Sequence, residues 1–173
     1  MWQIKNSTVG STVFLMKGKE MTKEEKYLEA KKELLRRTEN ESDLIANLSN
    51  ASAILNEYMD EINWVGFYLL KNGQLVLGPF QGRAACVRIN QGSGVCGTAF
   101  ERNEVLVVPD VHKFPGHIAC DDRSRSEIVI PVHYNGRKVG VLDIDSPVLE
   151  RFDEMDKKYL CDIAGILEVS CRW

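Results

Sequence analysis

Trp64-Val65-Gly66-Phe67-Tyr68-Leu69-Leu70 carries no charged or strongly polar side chain. An extended chain sends alternate side chains to opposite faces. A run apolar on both faces therefore reads as a strand covered on both sides, in the middle of a sheet. Asn72-Gly73 follows at once, a pair that suits the positive-φ positions of a two-residue hairpin turn. Gln74 to Phe80 is then the returning strand, and Ala84 to Ile89 a short third one. Gly92-Ser93-Gly94 breaks the chain. Val95 to Arg102 reads as a short helix with Cys96 in its first turn, and Val105 to Val108 as a fourth strand. A second hairpin runs from Ile128 to Tyr134, turns at Asn135-Gly136 and returns from Arg137 to Ile144.

Helices flank this sheet pattern. Thr22-Lys23-Glu24-Glu25 is a capping-box pattern opening a helix, with an apolar stripe of Tyr27, Leu28, Leu34 and Leu35. Thr38-Glu39-Asn40-Glu41 repeats the pattern before a second helix, striped by Leu44, Leu48, Ser52, Leu55, Met59 and Ile62. The last helix starts near Asp153-Glu154, where acids suit a helix N-terminus. Met155, Tyr159, Ile163, Ile166 and Ser170 mark its buried side. Helices at both ends of a meandering sheet indicate an α+β fold, not an alternating βαβ one. Residues 1–20 show no clean period. Met21 reads as a natural start, with 1–20 a poorly ordered extension and 21–173 a single domain.

The bounds are simple. The chain has 173 residues, 44% of them apolar, enough for one core and too many for a disordered chain. A net charge of −3 gives no reason to expect nucleic acid or an anionic membrane. No apolar run approaches the roughly 20 residues that a spanning helix needs, and no secretory leader is evident. A cytoplasmic location is the default. Its thiols are reduced at rest, so the five cysteines read as reactive, metal-binding or buried.

Residues 109 to 125 form a long loop without its own period, the kind that often carries function. Cys120 lies in it, between His117 and Arg123, which favour a thiolate, and beside Asp121 and Asp122, which oppose one. Cys96 at a helix N-terminus has a setting that lowers a thiol pKa. For Cys86, within the third predicted strand, packing and reactivity are evenly weighed. Cys161 and Cys171, in the last helix, read as small buried hydrophobes. A zinc site from His112, His117, Cys86 and Cys96 is weakly supported, because no paired C-x-x-C spacing is present. Gly92-Ser93-Gly94 reads as a tight turn sooner than as an anion cradle.

Asp143 and Asp145 are two apart on a strand and share a face. The bland reading is a solvated face. Their apolar company favours a pocket, suited to a cationic group or to a proton donor. With a regular turn at Asn135-Gly136, Ile128 lies opposite Asp143 and Glu127 opposite Ile144. Glu127 would then face away from the aspartates unless a bulge intervenes, for which Pro131 is a candidate.

Taken together, Ile62-Asn63-Trp64-Val65-Gly66-Phe67-Tyr68-Leu69, Leu75-Val76-Leu77-Gly78-Pro79-Phe80-Gln81-Gly82, Ala85-Cys86-Val87-Arg88-Ile89, Gly94-Val95-Cys96-Gly97-Thr98-Ala99, Gly116-His117-Ile118-Ala119-Cys120-Asp121, Ser126-Glu127-Ile128-Val129 and Gly140-Val141-Leu142-Asp143-Ile144-Asp145-Ser146 resemble the free methionine-(R)-sulfoxide reductases, which are GAF-domain enzymes. The resemblance covers about residues 22 to 170. It implies a GAF fold, with a central antiparallel sheet, terminal helices on one face and a loop-covered pocket on the other. It implies reduction of free L-methionine (R)-S-oxide, with no bound cofactor and thioredoxin as reductant. Cys120 matches the catalytic cysteine, Cys86 the one that resolves it, and Cys96 a third that joins later exchange. Trp64, Tyr68, Glu127, Asp143 and Asp145 match substrate-pocket positions. Family members are commonly dimers, so a homodimer is expected. The rival expectation is a ligand-sensing GAF module without catalysis, and a third is a peroxide-reactive thiol sensor.

Overall fold

The computed structural model describes residues 20–116 and 121–173. The expectation for residues 1–20 thus falls almost wholly outside the described residues. Among these residues four α-helices and six strands follow in the order α1 (Lys23–Thr38), α2 (Leu44–Tyr58), β1 (Trp64–Lys71), β2 (Gln74–Gly82), β3 (Arg88–Asn90), α3 (Gly94–Arg102), β4 (Leu106–Val108), β5 (Ser126–Tyr134), β6 (Arg137–Ser146) and α4 (Glu154–Ser170), with a short 3-10 turn at Val111–Lys113 between β4 and β5. The strands form one sheet in the order β3-β2-β1-β6-β5-β4, with every neighbouring pair antiparallel. β1 sits inside the sheet, as its two apolar faces require.

Two-residue alternation divides the sheet into two faces. Val65, Phe67 and Leu69 of β1 lie beside Ile144, Leu142 and Gly140 of β6. These join Ile128, Ile130 and Val132 of β5 in one core with α1, α2 and α4. Trp64 and Tyr68 face the other way, where Val95, Ala99 and Phe100 of α3 complete a second, smaller core. The α+β layout therefore holds, with three helices on one face and α3 on the other.

Both hairpins turn at Asn-Gly. Asn72 and Gly73 have φ of 51° and 81°, and Asn135 and Gly136 of 50° and 73°, as a turn matched to the strand twist demands. The second hairpin then departs from the regular register. Tyr134 pairs with Arg137 and His133 with Lys138, but Val132 pairs with Gly140. Val139 is thus an extra residue, and every pair beyond it shifts by one. Ser126 lies opposite Ser146, Glu127 opposite Asp145 and Val129 opposite Asp143. The expectation that Glu127 turns away from the aspartates is overturned. The irregularity sits on β6 at Val139, not at Pro131.

The helix boundaries hold one further correction. Thr22 caps α1 with Glu25 in a full capping box. Thr38 does not open α2. It ends α1, its hydroxyl donating to Leu34 O and Leu35 O, and Asp43 caps α2 instead. The stripes are also narrower than expected. Leu28, Leu35 and Met155 are exposed, while Tyr27, Leu34, Tyr159 and Ile163 are buried. Cys171 caps the end of α4, just outside it.

Asp156 welds α1 to the start of α4. It is wholly buried and accepts hydrogen bonds from Tyr27 Oη at 2.7 Å, Lys23 Nζ at 2.6 Å and Arg151 Nη1 at 3.2 Å. Removing the carboxylate takes the shared acceptor from the buried Tyr27 hydroxyl and from the half-buried Lys23 and Arg151, and breaking a buried pair typically costs about 3–5 kcal/mol. Asp156→Ala is therefore expected to destabilise the protein by about that much in urea unfolding. A loss within experimental error would mean that the cluster adds nothing net.

Candidate active site

A cavity of about 550 Å³, counting its mouth, opens on the α3 side of the sheet. Strand register builds its floor. Trp64 of β1, Asp145 of β6 and Glu127 of β5 are direct neighbours across three strands. Gly66 and Asp143 pair in the next row on the same face. A Cβ at Gly66 would overlap Phe80 and the Trp64 ring. Glycine there lets Trp64 stack on Phe80, with ring centres 5.3 Å apart.

The chain leaving β2 is tied down over this floor. Trp64 Nε1 donates to Arg83 O at 3.1 Å, and Tyr68 Oη donates to Cys86 O at 3.0 Å. These bonds fix Arg83, Ala84 and Ala85 as one wall of the cavity. Cys86 follows, half-buried and in irregular chain. The third strand is shorter than expected and excludes it. Cys86 is disulfide-bonded, whereas Cys96, Cys161 and Cys171 are free thiols.

Ser93, Gly94, Val95 and Cys96 bring the start of α3 to the cavity. Gly92 and Gly94 both take positive φ, so this segment is a tight turn into the helix. Cys96 is 4% exposed, and its Sγ lies 3.8 Å from Glu127 Oε1. Burial pushes its thiol well above the ordinary value, and the nearby Asp143 and Glu127 charges push it further. The expected lowering at a helix N-terminus is overturned, because desolvation and two carboxylates outweigh the helix end.

The three pocket carboxylates share one bias. Burial raises Glu127 well above the ordinary carboxylate range, and Asp143 and Asp145 add to the rise. Burial lifts Asp145 strongly as well, with Asp143 adding to it. Asp143 rises to about 6, limited by hydrogen bonds with Cys96 and Glu127. Asp143 Oδ1 is buried without a hydrogen-bond partner among the described residues. Three anions cannot all be held in such a space, so this floor offers both carboxylate and neutral carboxylic acid.

Trp64, Tyr68, Glu127, Asp143, Asp145 and Cys96 thus all line the cavity. Cys120 lies outside the described residues, as does His117. His112 approaches Arg125 Nη1 at 3.3 Å. Sequence reasoning missed Asn63 and Ser124. Asn63 Nδ2 donates to Asp121 Oδ2 at 3.2 Å and to Ser124 Oγ at 3.1 Å. Arg123 grips the same Asp121 carboxylate at 2.6 Å, and its hydrogen bonds hold that carboxyl well below the usual range. Asp121 is thereby a fixed anion at the cavity wall. The Asp-x-Arg spacing was the available signal. The backbone adds a second anchor, since Arg125 N donates to Ser146 O at 2.7 Å. Cys96 Sγ, Glu127 and Asp143 also place one donor atom each within 4.8 Å of one another.

A curled antiparallel sheet with a small buried site on one face and helices on the other defines a GAF domain. The GAF domain family model matches residues 40–170, and the chain belongs to that family. Within it, the chain belongs to the free methionine-R-sulfoxide reductases, a group of oxidoreductases. The free methionine-R-sulfoxide reductase of Escherichia coli is 49% identical over 148 residues, 86% of this chain and 90% of that protein. Protein YtsP of Bacillus subtilis is 57% identical over 148 residues, 84% of this chain and 91% of that protein. The structure of the free methionine-R-sulfoxide reductase of Neisseria meningitidis in complex with its substrate superposes with a TM-score of 0.84. It is 45% identical, over 88% of this chain and 92% of that one.

Proposed function

We propose that the protein reduces free L-methionine (R)-S-oxide to L-methionine, with Cys120 as nucleophile and Cys86 as its resolving partner. The observation that carries this reading is the single cavity in which Trp64 and Tyr68 stand beside Glu127, Asp143 and Asp145. The family supports it, and so does the disulfide-bonded state of Cys86.

The cavity supplies what the substrate lacks. A sulfoxide sulfur is a poor electrophile until its oxygen accepts a proton or a strong hydrogen bond. A pocket carboxyl held neutral, Glu127 foremost, serves as that acid. Trp64 packs against the methylthio end, and the remaining carboxylates take the α-ammonium. The Cys120 thiolate attacks sulfur, and the sulfoxide oxygen passes to it with a proton. Methionine leaves as the thioether, and Cys120, oxidised by two electrons, becomes a sulfenic acid. The Cys86 thiol condenses with it, forming an S–S bond and releasing water. A thioredoxin dithiol then reduces the disulfide and is itself oxidised. Cys96, buried with its proton held tightly, takes no part in the first attack and is available only to later exchange.

A closed pocket excludes a peptide, whose flanking chain replaces the free ammonium and carboxylate. A coupled assay with thioredoxin, thioredoxin reductase and NADPH tests this on the free R and S sulfoxides and on a peptide-bound one. Turnover is expected with the free R form alone. Equal rates on the peptide would sink the closed-pocket reading. No turnover on any sulfoxide, with tight binding of a cyclic nucleotide, would favour a sensor module.

A further inference from the structure

We propose that Cys96, Glu127 and Asp143 form a binding site for a thiophilic divalent cation of the Zn²⁺ or Cd²⁺ class, and that its occupation shuts the cavity to substrate. The three donors come from three elements, α3, β5 and β6, so the sheet and helix hold them without help from a loop. Their ligand atoms all lie within 4.8 Å of one another, and Cys96 Sγ is 3.8 Å from Glu127 Oε1. Zinc bonds of about 2.3 Å to sulfur and about 2.0–2.2 Å to oxygen place tetrahedral ligand atoms about 3.5 Å apart. Side-chain shifts below about 1 Å, without backbone movement, would reach that geometry.

Two independent features favour a cation over a merely acidic corner. Asp143 is 6% exposed, yet its Oδ1 has no hydrogen-bond partner among the described residues. A buried lone pair of this kind lacks a donor or an ion. The second is the donor set. A thiol among carboxylates selects soft and borderline metals, whereas Mg²⁺ and Ca²⁺ prefer oxygen ligands alone. Three protein ligands leave a fourth position open to water or an incoming ligand, and all three residues line the cavity. The inhibitory half of the proposal rests on the reductase reading. The binding half does not.

Co²⁺ is the optical probe, since thiolate ligation gives a near-ultraviolet charge-transfer band and tetrahedral sites give strong visible bands. Tag-free full chain, reduced with a phosphine, is titrated with Co²⁺, and Zn²⁺ is then added in competition. One equivalent is expected to bind with a thiolate band. The double variant Cys86→Ser/Cys120→Ser is expected to bind as the parent does. Cys96→Ser is expected to lose the band, and Asp143→Asn to bind at least about tenfold more weakly. Circular dichroism and thermal unfolding establish that each variant is folded. Should Cys96→Ser not fold, Asp143→Asn and the double variant carry the test. Loss of binding in the double variant, or unchanged binding in folded Cys96→Ser or Asp143→Asn, overturns the site. In the coupled assay, Zn²⁺ is expected to inhibit competitively with free methionine sulfoxide and a chelator to restore the rate. Stoichiometric binding without inhibition overturns the second half. Absence of turnover in metal-free protein refutes the reductase reading and leaves the cobalt result intact.

Discussion

Replacing Cys120 by serine is expected to cut thioredoxin-linked turnover to below about a thousandth of the parent rate. The reacting species is a thiolate, and a serine hydroxyl gives no comparable anion near neutral pH. Cys86→Ser is expected to behave differently. In the proposed cycle the first half needs only Cys120 and the acid, so about one equivalent of methionine per protein should appear in a burst. Turnover should then stall, because the sulfenic acid has lost its partner. Chromatography of released methionine, with a dimedone-type trap for the sulfenic acid, separates the two variants. Turnover of Cys120→Ser within tenfold of the parent would assign the nucleophile elsewhere. A Cys86→Ser enzyme cycling at the parent rate would remove Cys86 from the pathway. The location of Cys86 bears on this. Its carbonyl is held by Tyr68 Oη, so the proposed resolving position is tied to the pocket floor and not left to a free loop.

Much of this arrangement was legible in the chain. Apolar residues on both faces of β1 defined the sheet centre, and the two Asn-Gly turns defined the hairpins, because these patterns follow from two-residue alternation and from φ alone. Thr22 with Glu25, and Asp153, opened their helices as read. The pairing of Asp143 and Asp145 on a pocket face also followed from alternation. The relation of Glu127 to them did not. It depends on one extra residue, Val139, and no residue type there announces a bulge. One inserted residue reverses the face of everything beyond it, so a one-residue uncertainty became a wrong orientation for the central acid. The Cys96 thiol failed for a related reason. Its helix N-terminus is visible in sequence, but the two carboxylates opposite it come from β5 and β6, far along the chain. Leu28 and Leu35 belong to a third kind of miss. Their spacing is helical, and only the position of α2 and α4 decides which side of α1 is covered.

Asp143→Asn is expected to abolish most activity while making the protein more stable, and the pH at which each effect appears tests the account. The Asp143 carboxyl is raised from an ordinary value of 3.8 to about 6 in the fold, chiefly by burial. The folded state therefore binds its proton more tightly than the unfolded chain does. The stability associated with this group is fully present below the unfolded value, and it is lost as pH rises from about 4 through about 6. Above that window the folded protein carries a buried charge at a cost of roughly 2–3 kcal/mol, at about 1.4 kcal/mol per unit. Asparagine has no charge to bury. In protein freed of divalent cations, urea unfolding at pH 8 is expected to show Asp143→Asn more stable by roughly that amount. The gain should vanish near pH 4, where the parent carboxyl is already neutral. Turnover, by contrast, is expected to fall about 10²–10⁴-fold at every pH, because an amide neither shares a proton with Glu127 nor balances the substrate's ammonium. Such opposition is what a site kept for function at the expense of the fold displays. If Asp143→Asn instead destabilises the protein at pH 8, the carboxylate is being held by a cation or donor. Asp143 would then belong to the structure first and to the chemistry second.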